Sequence, residues 1–148
     1  MKAIVTYNSK TGFTQKYAEW IAEALNCKAL SAAELKNVSE YDLVIHGGWI
    51  MGGMISGFEN IKKLNPHKLV AFGVGFTKDD NYVATVKETN HTGDIPTCYF
   101  QGGMNPSKMG FFGKFIVKKK KKNKPTYEDL TNREAIQALV DYVKGLDR

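Results

Sequence analysis

Apolar residues in this chain fall into short unbroken runs, and the stretches between them carry apolar positions every three or four residues. KAIVTY (2–7) is β-branched, ends at an Asn-Ser pair and predicts a buried strand. TQKYAEWIAEAL (14–25) spaces Tyr17, Trp20, Ile21, Ala24 and Leu25 as one face of a helix. CKAL (27–30) predicts a short second strand, YDLVIHG (41–47) a third and HKLVAFGV (67–74) a fourth, the last two leaving into glycine. FENIKKL predicts a short helix, DDNYVATVKETN a longer one, and IPTCYFQGG a fifth strand. Residues 127–146 predict a final helix, opened by Thr126 with Asp129 three positions on, whose buried face holds Leu130, Ile136, Leu139, Val140 and Val143. Between strand and helix, GWIMGGMISG has too many glycines to predict regular structure.

Strands that are continuously apolar, alternating with amphipathic helices, predict a parallel sheet covered on both faces. The chain of 148 residues, 43% hydrophobic, is long enough for one such α/β domain spanning 1–148. No run approaches the roughly 18 apolar residues that cross a bilayer, and the first residues turn polar after about six, too few for a signal peptide; a cytoplasmic protein is expected. Cys27 and Cys98 stand far apart with no Cys-x-x-Cys, so they are expected as reduced thiols, and the scattered His46, His67 and His91 are expected to be structural, with no metal site.

The charge of +6 is local. Residues 114–124, KFIVKKKKKNK, hold seven lysines, and taking these from the 21 basic residues leaves 14 against 15 acidic ones. With Phe111, Phe112, Phe115, Ile116 and Val117 beside them, the lysines of 111–124 suit an anionic membrane surface. They equally suit a solvated helix end. Nucleic acid is not expected, because no arginines are interleaved with the lysines.

In an open parallel sheet ligands bind beyond the carboxyl ends of the strands, and three exits here are chemically unusual. The first, Ser9, Lys10, Thr11, Gly12, Phe13 and Thr14, offers three hydroxyls and the N–H groups of a helix start to a single anion. With Lys10 as its one cation it suits a monophosphate better than a triphosphate with magnesium; as plain helix capping it would need no ligand. The second, Gly47, Gly48, Trp49, Ile50, Met51, Gly52 and Gly53, sets an aromatic ring between glycine pairs, as stacking on a planar heterocycle requires. The third, Gly73, Val74, Gly75 and Phe76, again joins glycine to an aromatic.

Ser/Thr-x-Thr-Gly-x-Thr, matched by Ser9, Thr11, Gly12 and Thr14, together with the two glycine-aromatic exits, resembles the flavodoxin-like family that binds flavin mononucleotide (FMN). The resemblance implies a three-layer sandwich with a five-stranded parallel sheet of order 2-1-3-4-5 and FMN at the point where strand order reverses. It further implies that residues 9–14 hold the phosphate, that 47–53 flank the isoalloxazine with Trp49 as stacking ring, and that 73–76 close the other side. GGWIMGG lacks the family's frequent Pro-Thr, and GVGF lacks its acidic residue. A second stretch, Cys98–Lys122, resembles the corresponding segment of menaquinone-dependent protoporphyrinogen oxidases.

The resemblance implies electron transfer or flavin-dependent oxidoreduction, with a redox protein or a small quinone- or porphyrin-type molecule as partner. No side-chain acid or base is assigned to catalysis, since the flavin carries the electrons. Backbone groups of Gly52 and Gly53 are expected to face N5 of the ring. Two alternatives stay open: an enzyme of the menaquinone-linked protoporphyrinogen oxidase type, and a flavin-free binding module on the same fold.

Overall fold

The computed structural model describes residues 1–105 and 127–147. β1 (Ala3–Asn8) leads into helix α1 (Phe13–Leu25), and β2 (Lys28–Ser31) follows. β3 (Leu43–Met51) turns back through β4 (Met54–Ile55) into α2 (Phe58–Lys63). β5 (Leu69–Gly75), α3 (Tyr82–Thr89), β6 (Thr97–Gln101) and β7 (Gly103–Met104) complete the first stretch. Beyond it lie β8 (Glu128–Asp129), a 3-10 turn (Arg133–Ile136) and α4 (Gln137–Leu146).

The strands line up as β2-β1-β3-β5-β6, all parallel, with β4 paired antiparallel to β3. With the hairpin strand set aside, this is the expected order 2-1-3-4-5. Side chains alternate across a strand, so an unbroken apolar run feeds two cores at once. Val5, Leu43, Ile45, Val70 and Phe72 point to one core, with Tyr17 and Ile21 of α1 and Leu139, Val140 and Val143 of α4. Ile4 and Val44 point to the other face, with Leu35, Val38 and Ile61, while Ala71 joins Ile55, Phe58 and Val86 there. Each fully buried large side chain of these sets stabilises the fold by about 1.5–3 kcal/mol.

Two expectations are overturned. The segment after Gly47 is not irregular throughout: β3 runs on through Gly48, Trp49, Ile50 and Met51, Met54–Ile55 pairs back on it, the chain turns at Ser56–Gly57 before α2, and the hairpin itself turns on Gly52 and Gly53. Their φ values of 60° and 83° are both in the left-handed region that a two-residue hairpin turn requires. Gly47 and Gly48 lie in the strand at positions that leave no room for a side chain. A Cβ on Gly47 would come within 2.0 Å of the Phe72 ring, and one on Gly48 within 2.1 Å of the Ser56 carbonyl oxygen.

The last helix also starts later than its spacing predicts. Glu128–Asp129 pairs with Gly103–Met104, the Asp129 carboxylate accepts from Lys16 Nζ at 2.7 Å, and the Leu130 N–H donates to the Gly102 carbonyl at 2.8 Å. These long-range bonds hold 128–130 extended, and Leu130 is exposed. Asn132 then opens the 3-10 turn, its Oδ1 accepting from the Glu134 N–H at 3.1 Å. Ile136, Leu139, Val140 and Val143 are buried as expected.

Candidate functional site

The sheet register brings the three exits level at one edge. Asn8 pairs with Gly48, Gly48 with Gly73, Trp49 with Val74 and Gly75 with Gln101. With neighbouring strands about 4.8 Å apart, the ends of β1, β3, β5 and β6 form one continuous rim.

At the exit of β1 the chain turns on Gly12, whose φ of 97° disfavours any residue with a side chain. The Gly12 N–H donates to Ser9 Oγ at 3.1 Å, and the Gly12 carbonyl accepts the first helical bond from the Lys16 N–H at 3.1 Å. The N–H groups of Phe13, Thr14 and Gln15 therefore precede the first helical donor, the Lys16 N–H, and no side chain caps them. No acidic residue lies in this first turn, so nothing negative competes for the positive end of the helix. Ser9 and Thr11 are half-buried and Thr14 is buried, while Lys10 is exposed. Phe13 is buried, its ring 2.9 Å from where a Cβ on Gly103 would sit.

The second exit meets the first through one side chain. Lys10 Nζ lies 5.6 Å from the centre of the half-buried Trp49 ring, within cation–π range. The hairpin beyond Trp49 exposes Met51, Gly52 and Met54, and Gly53 is buried. Ile50 is half-buried and packs on Gly73, where an added Cβ would fall 2.4 Å from Ile50 Cδ1. Gly73 thus serves as a socket for Ile50.

The third exit is tied to β6. Val74 is core, and Phe76 is exposed just past the strand end. The Gly75 carbonyl accepts from the Gly102 N–H at 2.7 Å, the Phe76 carbonyl from Gln101 Nε2 at 3.2 Å, and the Thr77 carbonyl from the Tyr99 hydroxyl at 2.6 Å. Burial foremost pushes the Tyr99 hydroxyl far above the usual tyrosine range, so it stays protonated and donates. Tyr99 stacks edge-on against Tyr82, with ring centres 5.0 Å apart.

Residues outside the three exits hold the hairpin in place. Buried Asn90, at the end of α3, bonds both Gly53 and Ile55. Buried His46 contacts the Ser56 carbonyl through Nε2 at 2.8 Å and Thr6 Oγ1 through Nδ1 at 2.9 Å, and Asn8 Nδ2 donates to Ser56 Oγ at 3.1 Å. Burial lowers the His46 pKa to about 4, so the ring is neutral, with Nε2–H donating and Nδ1 accepting. The expectation of structural histidine holds for His46. Cys27 and Cys98 are free thiols whose pKa values burial raises.

The donor set fits a phosphate monoester on a planar group. Hydroxyls, helix N–H groups and one lysine lie in this one turn with no carboxylate among residues 9–14, and the space beside Gly12 and Gly52 is open, since an added Cβ at either meets nothing within 4 Å. The lysine-rich stretch 111–124, and residues 106–122 of the second resemblance, lie outside the described residues. Among the described residues no helix is long and apolar enough to cross a membrane.

Comparison with known proteins agrees with this architecture. A family model for the flavodoxin domain matches residues 4–131. A candidate flavoprotein from Bacteroides uniformis superposes with a TM-score of 0.53 at 16% identity, covering 82% of this chain and 98% of its own. One from Bacteroides eggerthii gives 0.51 at 16%, covering 97% and 98%. Rubredoxin oxygen:oxidoreductase from Desulfovibrio gigas gives 0.50 at 15%, covering 97% of this chain and 36% of that much longer one. No curated protein matches the chain.

Proposed function

Because the chain belongs to the flavodoxin domain family, we propose that it binds FMN at the carboxyl edge of its sheet and works as a redox protein. The observation that carries this reading is the exit of β1, where a left-handed Gly12 in a hydroxyl-rich loop leads into three uncapped N–H groups, with no acid in the first turn of the helix. In the proposed complex the N–H groups of Phe13, Thr14 and Gln15 and the hydroxyls of Ser9, Thr11 and Thr14 take the phosphate, and Lys10 balances its charge. Trp49 and Phe76 flank the ring from the second and third exits. Bound FMN supplies one- or two-electron transfer, and the protein supplies position and electrostatics.

An absorption spectrum of the purified chain, followed by titration of the flavin-free protein with FMN, tests the reading. Flavin bands and a saturable 1:1 uptake are expected; a colourless protein that leaves FMN unbound would point to a flavin-free module instead. An anaerobic reductive titration separates the finer roles. Bleaching in two resolved one-electron steps supports a carrier that serves a redox protein. A single two-electron step with quinone turnover supports an enzyme on a small quinone- or porphyrin-type substrate, including the menaquinone-linked protoporphyrinogen oxidase type. A peripheral membrane location through 111–124 is part of the second role, and failure to sediment with anionic vesicles at low salt would remove it.

A further inference from the structure

The hairpin of β3 and β4 is too short to hold its own shape. Its return strand has two residues, and its tip exposes Met51, Gly52 and Met54. An isolated two-stranded ribbon is marginal in water, so the turn needs support from outside.

That support comes from the last turn of α3. Asn90 is 1% exposed, and its amide is fully used: Nδ2 donates to the Gly53 carbonyl at 2.8 Å and to the Val86 carbonyl at 2.7 Å, and Oδ1 accepts from the Ile55 N–H at 2.9 Å. Two carbonyls on one side and an N–H on the other fix the amide's orientation, because the flipped amide would set oxygen against oxygen. Thr89 closes the space beneath Gly53, where an added Cβ would lie 2.9 Å from Thr89 Oγ1. Gly52, by contrast, has nothing within 4 Å of where a Cβ would stand. One half of the turn is clamped and the other half is open.

We propose that Asn90 is a positioning residue for the flavin-facing turn: it ties up the Gly53 carbonyl and leaves the peptide groups around Gly52 as those free to bond the ring edge. The proposal rests on the FMN reading above. Asn90 touches only protein, so it acts through the turn. A turn with one peptide orientation withheld discriminates between oxidised and reduced flavin, because the two differ in donors and acceptors at the ring edge. Loss of the clamp frees the Gly53 carbonyl to compete for that edge.

Asn90→Ala, with Asn90→Ser as the milder variant should the first not fold, is compared with the unaltered chain in two ways. Amide hydrogen exchange on flavin-free protein is the first. Exchange of the Ile55 N–H is expected to speed up about tenfold more than exchange of Val5 and Val44 in the core strands. Equal acceleration at all three would mean that Asn90 serves only general stability, and no acceleration at Ile55 would mean that it does not hold the turn; either overturns the proposal. The second is the ratio of FMN dissociation constants in the oxidised and fully reduced states, expected to change about tenfold. An unchanged ratio with both affinities equally weakened would also overturn it. Failure of the unaltered chain to take up FMN would sink the cofactor reading, and the positioning role with it, whereas the exchange measurement would still decide whether Asn90 holds the turn.

Discussion

Replacing His46 with glutamine should make the fold less sensitive to acid. The imidazole is fully buried between Thr6 and Ser56, and burial lowers its pKa from 6.5 to about 4, the hydrogen bond to the Ser56 carbonyl opposing that shift. The unfolded chain therefore binds a proton at this ring between about pH 6.5 and 4 while the folded chain does not, so stability falls as pH drops through that window. Each pKa unit is worth about 1.4 kcal/mol, so the full loss is about 3 kcal/mol below pH 4. Between pH 7 and pH 5 the loss from this ring alone is about 2 kcal/mol. Glutamine can still donate to the Ser56 carbonyl and has no proton to gain. Urea unfolding followed by the fluorescence of Trp20 and Trp49, at pH 7, 6 and 5, gives the slope of stability against pH for both proteins. Subtracting one slope from the other cancels the carboxylates they share. A difference near 2 kcal/mol is expected, with equal m-values showing that the unfolded states are comparable. Equal pH slopes in the two proteins would refute the argument that this ring is held neutral by burial.

Glycine substitutions should divide by location. Gly47→Ala drives a methyl group into the Phe72 ring and should cost about 1–3 kcal/mol or more in urea unfolding. Gly12→Ala meets no neighbour, so its cost should be only the roughly 1–2 kcal/mol of a left-handed non-glycine residue. Thr14→Val keeps the shape of a buried residue and removes one phosphate donor; FMN affinity measured by fluorescence quenching should fall about tenfold, about 1.4 kcal/mol, with stability nearly unchanged. Tyr17→Phe strips the hydroxyl that donates to the Gln101 carbonyl and accepts from the Asn132 N–H, and should destabilise the chain by about 1–3 kcal/mol in the same unfolding assay.

The sheet was legible because its strands are buried on both faces. Ile4 and Val5 serve opposite cores, so neither position could be polar, and the unbroken run announces the arrangement. The turn between β1 and α1 was legible for a local reason, since a hydroxyl-rich turn with glycine before an amphipathic helix is encoded in consecutive residues. The segment 48–53 misled because glycine marks both turns and places where neighbours crowd the backbone. Gly52 and Gly53 turn, whereas Gly48 yields to the Ser56 backbone, which comes alongside only once the hairpin has folded back. Leu130 fits the spacing of the last helix, but Asp129 is held by Lys16 from the far side of the sequence. Asn90 reads as an ordinary helix-ending polar residue; only the folded hairpin shows what its amide grips.

The ladder of β7 and β8 has a topological consequence. Met104 pairs with Glu128, so the chain on either side of residues 106–126 stands a single strand spacing apart. The described chain therefore stops and resumes at one place on the domain. An Asn-Gly turn between Asn105 and Tyr127 would close the same gap, and replacing 21 residues by two lowers the closure entropy by about 2 kcal/mol. Such a miniature would keep the rim of the sheet and lose all seven lysines of the run, separating the sheet from the lysine-rich sequence in one excision.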